Sequence, residues 1–230
     1  MSALRAAVPL YHYPGEDSGL WEQVLTPGAV DLVVVNVDSG PGAELDPVFT
    51  EALRCAPDNV HGYVDTDYGR RPVDDIRADA HRWRAWYGVR SIFLDQVVSG
   101  AGAGGRVDTG SLARLTGLVG ALRRDGMRSI SGNPGTVPHP QVLRLFDVTC
   151  VRETDMETHL STPIAPLPEV AASSLWHLVY DCPPDRLEEV LARSVELGAG
   201  LVGVTPDGLP HPWGSVGYLN NSAPQVSSCD

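Results

Sequence analysis

Lysine is absent from this 230-residue chain, whose 17 basic residues are all arginine. No Schiff-base lysine, pyridoxal phosphate anchor or P-loop lysine can therefore exist in it, and three large groups of enzyme mechanism are excluded. Cysteine is sparse and scattered. Cys55, Cys150, Cys182 and Cys229 form no C-x-x-C, so neither a zinc knuckle nor a redox dithiol is expected, and buried reduced thiols are. No Gly-x-Gly-x-x-Gly follows the first strand-like stretch, which disfavours a doubly wound dinucleotide fold. No stretch approaches the ~18 to 20 apolar residues of a membrane span. The N-terminus runs straight into strand-like Ala6-Ala7-Val8-Pro9-Leu10-Tyr11 without the apolar segment of a signal peptide, so a cytoplasmic protein with no membrane partner is expected. Positive charge is also in deficit. The net charge of −12 would repel a polyanion, and nucleic acid is not expected as a partner.

What the chain does have is an ordinary globular composition, with 43% hydrophobic and 20% charged residues. Its organising stretch is Ser91-Ile92-Phe93-Leu94-Asp95-Gln96, a short apolar run that breaks into one carboxylate and one amide. A run this short, with β-branched and aromatic residues and Gly88 before it, reads as a buried strand. Seven more strand candidates cover residues 6–11, 30–35, 60–64, 127–131, 148–151, 175–180 and 201–205. Helical spacing appears at 21–25, 47–55, 73–86, 111–124 and 184–197; Leu112, Leu115, Leu118, Val119 and Leu122 share one face of the fourth. Asp125-Gly126 and Gly198 supply stops, and Pro183-Pro184 supplies a start. Strands alternating with helices imply a parallel sheet, and eight repeats in this length predict a (β/α)₈ barrel as a single domain over residues 1–219. Residues 220–230 are expected to form a flexible polar tail, and the Gly-rich stretch 100–105 a mobile loop over the barrel mouth.

In such barrels chemistry sits at the carboxyl ends of the strands. Asp95 is therefore a catalytic candidate, against the competing reading of a helix N-cap or structural ion pair. Val148-Thr149-Cys150-Val151-Arg152-Glu153 repeats the apolar-run-then-acid pattern, which makes Glu153 the second candidate, against a surface salt bridge with Arg152. Two carboxylates across a barrel mouth suit glycoside hydrolysis, one protonated to help the leaving group and one ionised to attack or to stabilise positive charge. Tyr11, His12, Asp38, Asp65, Tyr68, Gln96, Asn133 and Trp213 are candidates for substrate binding: aromatic rings cover the apolar faces of a sugar and polar groups fix its orientation. Ser39-Gly40-Pro41-Gly42 reads equally as a turn. His177, inside an apolar strand, is expected to be a satisfied core histidine, while His139 and His211 pair with nothing evident. Asp65-Thr66-Asp67 is a weak oxygen cluster; no metal site and no cofactor are expected.

Several segments resemble the spherulation-specific family 4 proteins: Val8-Pro9-Leu10-Tyr11, Val35-Asn36-Val37-Asp38-Ser39-Gly40-Pro41-Gly42, His61-Gly62-Tyr63-Val64-Asp65-Thr66, Tyr68-Gly69-Arg70-Arg71, Phe93-Leu94-Asp95-Gln96 and Asn133-Pro134-Gly135-Thr136. The resemblance implies a TIM barrel related to glycoside hydrolases that cut α-linked galactosamine or N-acetylgalactosamine polymers, in a family whose members of that kind are usually secreted. It also implies a functional glutamate at the position of Glu153. At the fourth strand the family reads Phe-Leu-Asp-Glu where this chain has Gln96, an amide that hydrogen-bonds but transfers no proton at neutral pH. Three readings follow: a glycosidase-like enzyme acting on a saccharide, a biosynthetic cyclase, lyase or isomerase using the same site on a small metabolite, and a non-catalytic carbohydrate-binding protein.

Overall fold

All eight strand candidates become strands: β1 Arg5–Leu10, β2 Leu32–Val35, β3 Val60–Asp65, β4 Ser91–Asp95, β5 Ser129–Gly132, β6 Val148–Asp155, β7 Leu175–Tyr180 and β8 Leu201–Val204. Each pairs in parallel with its neighbour in sequence, and β8 closes on β1, giving an eight-stranded barrel. This computed structural model describes residues 4–101, 107–165, 167 and 169–219. The expected tail 220–230 and most of the expected 100–105 loop lie outside the described residues.

The helices are α1 Ser18–Leu25, α2 Pro47–Leu53, α3 Val73–Tyr87, α4 Thr109–Arg124, α5 Pro140–Leu143, α6 Met156–Ser161 and α7 Leu187–Glu196. Five were legible. α5 and α6, with four and six residues, are too short to display a helical period. The expected first turn of α7 is instead a separate 3-10 turn at Pro184–Arg186. The caps follow the sequence. Asp46 and Asp108 accept from the free N–H groups at the starts of α2 and α4, and Gly88, Gly126 and Gly198, all at positive φ, follow α3, α4 and α7.

Side-chain alternation divides the core into two layers. Ala7, Leu32, Val34, Tyr63, Phe93, Cys150, Trp176, Leu178 and Leu201 pack together inside the barrel. The intervening residues, such as Val8, Val33, Val64, Ile92, Leu94 and Ile130, meet the helices outside it. At Gly62 a Cβ would overlap the Trp83 indole, which packs flat on β3 and donates from Nε1 to the Tyr63 carbonyl at 2.8 Å. This fixes α3 against the strand that carries Tyr63 and Asp65.

Two core expectations need correction. Cys150 and Cys182 are buried, but Cys55 is exposed, because it follows the last turn of α2 on the outer wall; Cys229 lies outside the described residues. His177 is fully buried, yet neither ring nitrogen has a hydrogen-bond partner among the described residues; it faces the His159 ring edge-on, with centroids 5.5 Å apart.

Candidate active site

On β4, Phe93 points into the barrel, so Asp95, two residues on, projects from the same face at the carboxyl end. Tyr63 on β3 also points inward, and its hydroxyl donates to Asp95 Oδ2 at 2.7 Å. Asn133, just past β5, donates from Nδ2 to Asp95 Oδ1 at 2.9 Å. Burial raises the Asp95 carboxyl above its ordinary value, and the Asp65 charge adds to the rise. The donors Tyr63, the Gln96 main-chain N–H and Asn133 act in the opposite direction.

Glu153 reaches the same place by a different route. Strict alternation along β6 would put Glu153 on the face of Val151, which packs outside the barrel against Leu143 and Leu175. The β6–β7 register shifts between Cys150 and Arg152, so that Cys150 pairs with Trp176 and Glu153 with Leu178; Cys150, Trp176 and Leu178 all lie on the inner side. This bulge re-aims the glutamate into the barrel mouth, a use of bulges common beside active sites. Glu153 Oε2 then accepts from Asn133 Nδ2 at 2.7 Å, and Oε1 accepts from Trp213 Nε1 at 2.9 Å. Burial raises this carboxyl too, countered by Asn133 and Trp213 and reinforced by the charge of Asp95. One amide nitrogen thus bridges both acids. The two bridged oxygens are no farther apart than 2.9 Å and 2.7 Å laid end to end.

Gln96 sits at φ +52, a left-handed conformation that is strained for a residue with a side chain. Its carbonyl is clamped by the Thr66 hydroxyl and the Tyr68 N–H, both at 2.8 Å. Tyr68 is itself left-handed, at φ +50, and its ring is 55% exposed. Tyr68, Asp95, Gln96, Asn133, Pro134, Gly135 and Glu153 line a cavity of about 250 Å³. A separate groove between α1 and α2 lies on the outer wall, away from the strand ends.

Of the ten residues singled out from the sequence, five line this cavity: Asp95, Glu153, Gln96, Asn133 and Tyr68. Trp213 does not line it but donates to Glu153, which does. Tyr11 lies below with its ring edge-on to Tyr63, centroids 5.9 Å apart; burial first, then the charge of Asp95, push its phenol well up. Asp65 pairs in register with Asp95, but its carboxylate is engaged by the Asp67 N–H at 2.8 Å, which makes Asp65-Thr66-Asp67 a turn. Asp38 does not join the cavity. It belongs to the turn 36–42, where Asn36 Oδ1 accepts from the Gly40 N–H at 2.8 Å. His12 is half-buried beyond β1 and takes part in none of these hydrogen bonds. His139 accepts from the Gln141 N–H at the start of α5. Two functional side chains were missed: Tyr63, legible from sharing a strand face with Asp65, and Thr66, which carried no signal. Among the described residues Asp95 caps no helix and joins no ion pair, and Arg152 turns away from Glu153 to the main chain of α6.

An acid pair bridged by one amide, lining a cavity at the carboxyl end of a closed (β/α)₈ barrel, defines a class, the single-domain (β/α)₈ barrels with a polar pocket where the strand ends converge. The family model for spherulation-specific family 4 matches residues 5–221, and the chain belongs to that family. It is similar to Spherulin-4 of Physarum polycephalum, at 30% identity over 144 residues, which are 59% of this chain and 40% of that protein; the match thus spans well under half of the relative's length. Among solved structures it resembles Aspergillus clavatus Sph3 in complex with GalNAc, with a TM-score of 0.71, 25% identity and 96% of each chain covered. Among the described residues no helix is long and apolar enough to cross a membrane.

Proposed function

We propose that this protein is a glycosidase-like enzyme that binds an amino sugar at the barrel mouth and cleaves its glycosidic bond with Asp95 and Glu153. The observation that carries the reading is the shared Asn133 donor, because it bounds the separation of the two carboxylates. Taken between the facing oxygens, that bound lies nearer the ~5 to 5.5 Å of retaining pairs than the ~6.5 Å at which inverting pairs begin. The likeness to a barrel holding GalNAc supports the choice of sugar.

The two acids differ in their donors. Asp95 receives three, from Tyr63, Asn133 and the Gln96 main chain, and Glu153 receives two. More donors favour the charged form, so Asp95 is the ionised partner, the nucleophile. Its charge in turn favours the protonated form of Glu153, which donates to the leaving oxygen and then, as a carboxylate, takes a proton from the attacking water. Asn133 holds both groups in register. Tyr68, exposed at the lip, offers a ring face to the sugar. Gln96 offers a neutral amide that orients substrate without competing for protons.

The amide at position 96 also favours a second reading, in which the same acids serve a cyclase, lyase or isomerase acting on a small metabolite. One isosteric change separates the two. If the protein is a glycosidase, Gln96→Glu keeps or raises turnover of an aryl N-acetylgalactosaminide. If the site is redirected, the new charge raises the Asp95 carboxyl and disturbs the native reaction. A wild type and a Gln96→Glu variant both inert on every aryl glycoside tested would remove the glycosidase reading.

A further inference from the structure

A second cavity, of about 410 Å³, opens between the β5 loop and α6 and shares Gly135 and Glu153 with the pocket at the barrel mouth. Its lining includes Arg152 and the threonines Thr136, Thr158 and Thr162; the hydroxyls of Thr136 and Thr162 have no partner among the described residues, while that of Thr158 donates to the Asp155 carboxylate. Arg152 is only 8% exposed, yet it enters none of the ion pairs among the described residues. The half-buried Arg71 and Arg193, by contrast, have Asp79 and Glu196. The guanidinium makes two long contacts, to the His159 carbonyl at 3.3 Å and the Pro163 carbonyl at 3.4 Å. These cap the end of α6 and leave further N–H donors of the fork unused. Glu153 is not the missing partner, because no ion pair joins it to Arg152 among the described residues and its two oxygens accept from Asn133 and Trp213.

A buried cation without a counter-charge is costly, and the planar fork of arginine matches a two-oxygen anion better than any neutral group. In a chain of net charge −12 the overall field repels anions, so holding one requires a local cation. We propose that this cavity is a subsite for an anionic oxygen group of the substrate, a carboxylate or a sulfate or phosphate ester, carried beside the bond that Asp95 and Glu153 act on. The inference rests on the barrel mouth being the reacting site. It names a substrate class, an anionic saccharide, that the acid pair alone does not specify.

The test is a titration of the intact protein at constant ionic strength, followed by the NMR signal of the Arg152 Nε–H and the Thr158 amide. The probes are galacturonate, galactose 6-sulfate, inorganic phosphate and, as the neutral control, galactose. Saturable shifts with one or more of the anions, none with galactose, at least tenfold weaker binding in Arg152→Gln and unchanged binding in Asp95→Asn support the subsite. Which probe saturates first identifies the group as carboxylate, sulfate or phosphate. Should Arg152→Gln not fold, Thr136→Val combined with Thr162→Val replaces it, with an expected loss of threefold or more. Absence of saturation by every anion, or undiminished binding in Arg152→Gln and in the double-threonine variant, overturns the proposal. The titration reads binding alone, so a protein that binds anions here yet hydrolyses no sugar loses the glycosidase reading and keeps the subsite. One that hydrolyses neutral aminosugars but binds no anion loses only the subsite.

Discussion

The two ends of the barrel use the same backbone conformation in different ways. At the amino end, where helices return to strands, the positive-φ positions are glycines: Gly28 before β2, Gly88 before β4, Gly126 before β5 and Gly198 before β8. At the carboxyl end glycines such as Gly40, Gly69 and Gly135 do the same, but side-chain-bearing residues are held there as well, namely Ser39, Asp67, Tyr68, Gln96 and Asp181. The first set turns the chain at no steric cost. The second stores strain, which persists only where neighbours enforce it and is concentrated at functional sites. The clamp of Thr66 and Tyr68 on the Gln96 carbonyl is such an enforcement.

The largest effect expected from this contrast is on turnover. Asp95→Asn and Glu153→Gln should each reduce it by about 10² to 10⁴-fold, the usual contribution of a proton-transfer or nucleophilic group. The thermal midpoint should stay within a few degrees, because neither side chain holds the core together. A variant that keeps full turnover, or unfolds, removes the distinction between a working end and a structural end.

A smaller effect follows from Tyr63→Phe, which deletes a donor to Asp95 while keeping the ring inside the barrel. The hydrogen bond from Tyr63 lowers the Asp95 carboxyl, so its loss raises it. Asp95 must be ionised to act, and the acid limb of the kcat/KM profile should therefore move to higher pH, with turnover near neutrality down by about tenfold. An unmoved acid limb would assign the ionised role to another group.

The smallest effect concerns stability. Gly88→Ala meets no neighbouring atom but must adopt φ +72, so it should cost about 1 kcal/mol in urea unfolding and leave turnover unchanged. Gln96→Gly relieves its own strain and should hold or raise stability by up to about 1 kcal/mol, while turnover falls because the loop beside Asp95 loosens. Loss of stability in Gln96→Gly with turnover intact would reverse the comparison.

Much of this was legible in the sequence, and the illegible parts have identifiable causes. The eight apolar runs gave the eight strands because burial on both faces of a parallel sheet leaves near-continuous hydrophobic stretches. Asp95 could be aimed from the chain alone, since alternation from Phe93 carries it inward. Glu153 could not, because alternation from Val151 points it outward and the bulge that reverses it leaves no mark in Val148-Thr149-Cys150-Val151-Arg152-Glu153. Asp38 was misjudged for a related reason: its strand ends at Val35, so the residue belongs to a turn and not to the rim. The pairing of Trp213 with Glu153, separated by 60 positions, depends on barrel closure that local pattern does not encode.

The account rests most heavily on Asp95 and Glu153 acting as one closely spaced pair. The direct measurement is the anomeric configuration of the first sugar released from an aryl N-acetylgalactosaminide, followed by proton NMR before mutarotation. The shared Asn133 donor predicts retention, the product carrying the configuration of the substrate. Release of the inverted anomer would mean that water fits between the acids, and would contradict the pair as described.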